Sequence, residues 1–295
     1  MADSPRGAPR PRAIERASHP VARVFRRSLA SGVTPEGWVA IEGPILFREA
    51  LLAGGSDSPV GPGAVGGAAR GVKIRSVLVT EREKKRLEDA LRTLPRETEV
   101  NLVSEWVFER VTQTEAPRGI AALVELPERN LDRDIGRRDA LLLVACGLQD
   151  PGNLGSMVRS AQALGGSALL VLPDTVSPFN PKAVRSSAGA VFRLPIFTGL
   201  EPALLFRRLR SVGVRLLAGD RRSPMPLRDA DLRGPAAILI GQEGAGLDEA
   251  LSRRADVRVA IPIRRDTDSL NAATAAGIFL YEAARQRGFV FHEPV

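Results

Sequence analysis

The sequence predicts an α/β protein whose larger part is a mostly parallel sheet with helices on both faces. Three observations predict it. Short apolar runs alternate with helical patterns along the whole chain, the order expected of layered α/β folds. Several of those runs, at residues 140–146 and 236–240 above all, are apolar at every position, as strands buried on both faces are. Two runs in the last sixty residues break at their carboxyl ends into turns before helices, and open sheets hold ligands outside the carboxyl ends of their strands.

Taken in order, residues 1–18 combine prolines with arginines, cannot build a core, and are expected to be a disordered basic arm. Residues 38–41 read as a strand and 44–52 as a helix carrying proline in its first turn. Residues 53–72 hold seven glycines with Pro59 and Pro62 and are expected to be a flexible surface loop. Strand patterns follow at 74–79 and 100–103, a charged helix at 81–92, a short helix at 104–111 with Ser104 as N-cap, and a closing strand at 120–126. Residues 19–127 therefore read as a compact α/β domain without a catalytic cluster, and the polar stretch 128–138 as a linker. The second domain, 139–295, opens with the strand at 140–146, then a turn and a helix capped by Asn153. Further strands are expected at 168–172, 193–197, 214–218, 236–240 and 257–261.

The composition bounds the function. At 295 residues the length suits two domains, and 44% hydrophobic with 26% charged residues is an ordinary globular balance. No apolar run approaches the roughly 18 residues of a membrane span, and the arginine-rich start lacks the apolar core of a secretory signal. One cysteine, Cys146, excludes an internal disulfide, and His19 and His292 alone make no metal cluster. A cytoplasmic setting and metal-free chemistry are expected. The net charge of +8 is uneven: +5 over residues 1–30, −2 over 31–137 and +5 over 138–295. A basic arm and a basic C-terminal half suit a phosphate-bearing partner such as a nucleic acid. Since 38 of the 42 basic residues are arginine, coding bias is the alternative explanation.

Two stretches carry the chemistry. Gly241, Gly244 and Gly246 follow the strand at 236–240 and allow close backbone approach to a ligand. Their spacing is G-x-x-G-x-G, not the dinucleotide fingerprint, and no Lys-Ser or Lys-Thr completes a phosphate loop. A turn needed only for strand-to-helix packing is the competing reading. In the other stretch, Arg159 follows Gly155 and Ser156 on the helix that opens the second domain. A helical side chain leans over positions i−3 and i−4, so these small residues leave room for the guanidinium near the helix start. Its planar fork suits phosphate, although an exposed helix arginine needs no function.

Three motifs in order, Asp150-Pro-Gly-Asn-Leu-Gly-Ser-Met-Val-Arg159, Ile240-Gly-Gln-Glu-Gly-Ala-Gly-Leu247 and Ile261-Pro-Ile followed by Asp268-Ser-Leu-Asn271, resemble the SpoU/TrmH family of RNA ribose 2′-O-methyltransferases. Residues 19–126, with Thr114-Glu-Ala-Pro-Arg-Gly-Ile120, more loosely resemble the substrate-binding domain of its ribosomal RNA members; the glycine-rich insertion departs from it. The resemblance implies a C-terminal trefoil-knotted methyltransferase domain of the SPOUT class behind a smaller N-terminal α/β substrate-binding domain. It implies S-adenosylmethionine as cofactor, held by backbone around Gly241, Ile261 and Leu270, with Ile240 and Ala218 as secondary contacts. It further implies a site of Arg159, Asn153, Glu243, Ser269 and Asn271, a homodimer, and RNA, most simply 23S ribosomal RNA, as substrate. Glu243 could instead hold loops together, and Ser269 could be only the N-cap of the last helix. A transfer RNA substrate, or a non-catalytic RNA-binding relative, are the alternative readings.

Overall fold

The computed structural model describes residues 9, 11–54, 71–112, 114–264 and 266–290. The chain divides into two compact units, Met1–Glu128 with Phe179–Phe192, and Arg129–Pro178 with Arg193–Val295.

The first unit runs β1 (Arg12–Ile14), α1 (Pro20–Ser31), β2 (Val39–Glu42), α2 (Pro44–Gly54), β3 (Lys73–Thr80), α3 (Glu81–Arg86), α4 (Glu88–Arg92), β4 (Glu99–Val103), α5 (Glu105–Val111) and β5 (Ile120–Glu125). Its strands are ordered β1-β4-β3-β5-β2. The first three are mutually parallel, and β5 is antiparallel to both of its neighbours. The core joins Phe25 of α1 and Phe108 of α5 to Leu78 and Leu123 of the sheet. Two expectations need correction here. The arm expected to be disordered contains β1, because Ile14 is an apolar residue that the edge of the sheet can bury; residues 1–8 and 10 lie outside the described residues. The single helix expected at 81–92 is two, since Leu87 leaves helical geometry to turn its side chain into the core. Of the glycine-rich loop, residues 55–70 lie outside the described residues.

The rest of the chain supplies α6 (Leu131–Ile135), β6 (Leu141–Ala145), α7 (Pro151–Ala163), β7 (Ala168–Val171), α8 (Pro181–Ser186), β8 (Ile196–Phe197), α9 (Pro202–Ser211), β9 (Arg215–Gly219), β10 (Ala236–Ile240), α10 (Glu249–Arg253), β11 (Val257–Val259) and α11 (Ala272–Gln286). α8 belongs to the first unit, where it packs on β2, and Ala183, Val184, Ala190, Val191 and Phe192 of its segment are buried. The stretch expected to be a linker contains α6, whose Ile135 is fully buried in the second unit's core. The strand expected at 193–197 shortens to two residues because Pro195, lacking an N–H, cannot join the ladder as a donor.

The second unit's six strands are all parallel, in the order β11-β9-β10-β6-β7-β8. All five residues of β6 and of β10 are buried, which accounts for their unbroken apolar sequence. After β6 the chain moves toward β7 and β8; after β10 it moves the other way, to β11 beyond β9. Open sheets bind ligands outside the carboxyl ends of their strands near such a reversal of order. α7 and α11 pack together, with Gly277 facing Ser160. At the far end of α11 the Arg287 guanidinium donates to the carbonyls of Asp139, Leu232 and Gly234 at 2.6–2.8 Å. Burial lowers the Arg287 pKa from its ordinary value, partly offset by Asp139. These bonds tie the last helix to the loops that lead into β6 and β10.

Candidate active site

Three loops meet at the carboxyl ends of the strands. The first follows β6 and turns at Asp150, whose carboxylate accepts from the Gly152 amide at 3.2 Å and caps α7. Asn153 is therefore not the cap expected from sequence: it lies within α7, and its amide group is free to reach outward. The second loop follows β10 as a tight hairpin, with Gln242 and Gly246 exchanging backbone hydrogen bonds at 3.1 and 3.0 Å. Gly241 starts it and has to be glycine, since a Cβ there would come within 2.1 Å of the Gly246 carbonyl oxygen. Gly244 and Gly246 close it with φ of 81° and 74°, where side chains are strained. The third loop follows β11 and ends at Asn271, whose Oδ1 accepts from the amides of Ala273 and Thr274 at 2.9 and 3.2 Å. Asn271, not Ser269, is the N-cap of the last helix.

Asn153 joins all three. Its Nδ2 donates to Glu243 Oε1, and its Oδ1 accepts from Asn271 Nδ2 at 2.9 Å. Residues 90 and 118 positions away in sequence thus share one side-chain amide. Arg159 is on the same helix but outside this chain of bonds. It is exposed, and no hydrogen bond or ion pair joins it to the described residues. The Ser156 hydroxyl, one turn earlier, is turned inward to the Gly152 carbonyl at 2.9 Å.

Beside these loops is a cavity of about 260 Å³ between the ends of β9 and β10 and the start of α11. Ile240, Gly241, Ile261 and Leu270, expected as ligand contacts, all line it, and so does Ser269. Ala218 does not: it is fully buried, and the next residue, Gly219, supplies the wall. Among the lining residues that sequence reading missed are Asp220, Ser252 and Phe279. Asp220 had a legible signal, being the first polar residue beyond a strand's carboxyl end; Phe279 and Ser252 sit mid-helix with none. Ser252 is 4% exposed and its Oγ has no hydrogen-bond partner among the described residues. A buried orphan hydroxyl in a cavity wall is costly unless something else satisfies it. The single cysteine does not line the cavity: Cys146 is buried directly after β6, and burial pushes its thiol up to about 12, leaving it unreactive.

The parallel sheet, the strand-end cavity and the three joined loops define a ligand-binding α/β domain with a polar cluster at its mouth. Comparison with known proteins assigns it. The model of the SpoU rRNA Methylase family matches residues 140–281, the span that holds β6, the cavity and most of α11. The "23S rRNA (uridine(2479)-2′-O)-methyltransferase" of Streptomyces viridochromogenes is 37% identical over 68% of this chain and 71% of its own. The "23S rRNA (guanosine(2553)-2′-O)-methyltransferase RlmP" of Bacillus subtilis is 36% identical over 61% of this chain and 70% of its own. Among solved structures, the SpoU methyltransferase AviRb from Streptomyces viridochromogenes, in complex with the cofactor AdoMet, superposes with a TM-score of 0.74 at 30% identity, covering 89% of this chain and 97% of that one. The chain belongs to the SpoU rRNA methylase family.

The hairpin generates a direct test. Gly241→Ala forces backbone apart where no flexible side chain can yield, so its unfolding temperature should fall by at least about 5 °C in scanning calorimetry. An unchanged unfolding temperature would show that the loop has a roomier path.

Proposed function

We propose that the protein transfers a methyl group from S-adenosylmethionine to a ribose 2′-hydroxyl of ribosomal RNA, 23S RNA being the substrate named for its relatives. The observation that carries this reading is the Asn153-centred junction of three loops at the mouth of the strand-end cavity. The cavity fits the cofactor. Its size approaches the roughly 300 Å³ of small-molecule sites, its walls are largely glycine backbone and aliphatic side chains, and Ser252 offers an unsatisfied hydroxyl. Gly241, Ile261, Leu270 and Ile240 would hold the cofactor, with Gly219 taking the place of Ala218. The bound cofactor supplies an electrophilic methyl group for in-line attack by the hydroxyl.

The protein's own part is positioning. Arg159, exposed and unpaired among the described residues, anchors the target nucleotide's phosphate through its fork and stabilises charge developing on the ribose oxygen. A guanidinium stays protonated, so Arg159 does not act as a base; the hydroxyl proton passes to the anchored phosphate or to solvent as the methyl group moves and the thioether S-adenosylhomocysteine is left. Glu243, Asn153 and Asn271 hold the three loops in register around the reacting atoms, and Ser269 lines the cavity beside them. The trefoil knot of the family accords with the last helix lying against α7, and with Arg287 bonded to the loops before β6 and β10. The first unit, none of whose described residues lines the cavity, selects RNA. The setting is the cytoplasm, where ribosomal RNA is met; no helix among the described residues is long and apolar enough to cross a membrane.

The working form is a homodimer built on α7 and α11. Tyr281 and Phe289, 53% and 41% exposed, pair their rings 5.5 Å apart on the last helix and its end, leaving apolar surface for a second copy. Sedimentation at micromolar concentration should show a dimer; a monomer retaining full activity would refute this.

The chemistry is tested by pairing binding with turnover. Calorimetry should show S-adenosylmethionine binding to the wild type and, within about threefold, to Arg159→Lys. Single-turnover methylation of ribosomal RNA fragments should fall at least about a hundredfold in that variant, because lysine keeps the charge but loses the fork. Turnover near the wild-type rate would leave Arg159 an ordinary surface charge.

A further inference from the structure

Asp220 is the first residue beyond β9 and lines the cavity with only 11% of its side chain exposed. Its Oδ1 accepts from the Arg222 amide at 2.9 Å. The guanidinium groups of Arg222 and Arg258 lie 3.6 Å from Oδ1 and 3.9 Å from Oδ2. A carboxylate offers about four acceptor sites, so Oδ2 in particular has capacity that the protein leaves unused.

We propose that Asp220 recognises the ribose of the bound cofactor, its carboxylate accepting hydrogen bonds from the vicinal 2′- and 3′-hydroxyls. The assignment rests on the reading of the cavity as an S-adenosylmethionine site and names the group that reads one part of that ligand. Charge selects the part. Two arginines already balance the carboxylate, so the site offers little attraction to the ligand's sulfonium or ammonium, whereas neutral hydroxyl donors need only acceptors. Position agrees. Asp220 follows Gly219, where a Cβ would approach the Phe279 ring at 3.3 Å and the Ile240 side chain at 3.5 Å, so an apolar wall suited to a purine adjoins it. Strands in a sheet are about 4.8 Å apart, and β9 is two places from β6. The ribose contact is thus about 10 Å from the strand that leads to Asn153, with space between for the reacting end of the ligand. Arg222 also approaches Glu249 at 3.6 Å, which links the Asp220 turn to α10, the helix of the orphan Ser252 hydroxyl.

The test uses the full chain and three ligands in calorimetry: S-adenosylhomocysteine and its 2′-deoxy and 3′-deoxy analogues. The wild type should bind each deoxy analogue about ten- to a hundredfold more weakly than the parent, the range for a hydrogen bond to a charged group. Asp220→Asn keeps an acceptor for the Arg222 amide but loses the charge. It should bind the parent more weakly and discriminate by no more than about threefold, with an unfolding temperature near that of the wild type. Equal wild-type affinity for the parent and the deoxy analogues would overturn the proposal without touching the cofactor reading. So would full discrimination in Asp220→Asn. Failure of the parent compound to bind at all would overturn both.

Discussion

The site depends on one side chain bonding in two directions. Asn153 donates to Glu243 and accepts from Asn271, and so couples the loops that follow β6, β10 and β11. A side-chain amide is suited to this because it carries donor and acceptor on one rigid plane. Each such bond contributes only about 0.5–1.5 kcal/mol net, more toward a charged partner, so the junction cannot be what folds the domain. It can only select one arrangement of loops that are already built. Each partner is accordingly fixed by its own backbone: Asn271 by capping α11, Glu243 by the hairpin between Gln242 and Gly246, and Asn153 by a helix that Asp150 caps. The result is a preorganised polar cluster whose cost was met in folding the sheet.

That division explains the character of the cavity beside it. The walls are backbone and small or aliphatic side chains because the strands end there and the loops must turn within a few residues. Gly241 permits contact that any Cβ would prevent, and Gly219 lets Phe279 and Ile240 close the apolar side. The charged lining is Asp220 with the arginines beyond it, where Arg221 donates to the Asp268 carbonyl and Arg222 lies between Asp220 and Glu249. A basic surface near a polar junction accords with an RNA substrate, whose phosphates attract arginine regardless of sequence.

Much of this was legible in the sequence, for identifiable reasons. The parallel sheet showed itself because residues 141–145 and 236–240 are buried on both faces and so are apolar throughout. Four of the five expected cavity residues line it because ligand sites follow strand ends, and strand ends can be read from where apolar runs stop. What was not legible depended on tertiary contacts. Ile14 is a lone large apolar residue in a charged stretch, and α6 has only the pair Leu131 and Ile135, too short a pattern to mark a helix. The segment Phe179–Phe192 groups with the first unit through packing that no local signal marks. Caps failed for a subtler reason: Asp150 and Asn153, or Ser269 and Asn271, are equally good capping residues, and only backbone geometry decides between them.

The central claim is that the three loops act as one unit through Asn153, and a double-mutant cycle on single-turnover methyl transfer measures it directly. Asn153→Ala, Asn271→Ala and the double variant would be compared with the wild type under saturating cofactor and RNA. If the junction is cooperative, the double variant should be little slower than the slower single variant, with a coupling of at least about 1 kcal/mol. Losses that simply add in free energy would mean that the two asparagines act independently, and that the junction is a feature of the folded chain with no part in the reaction.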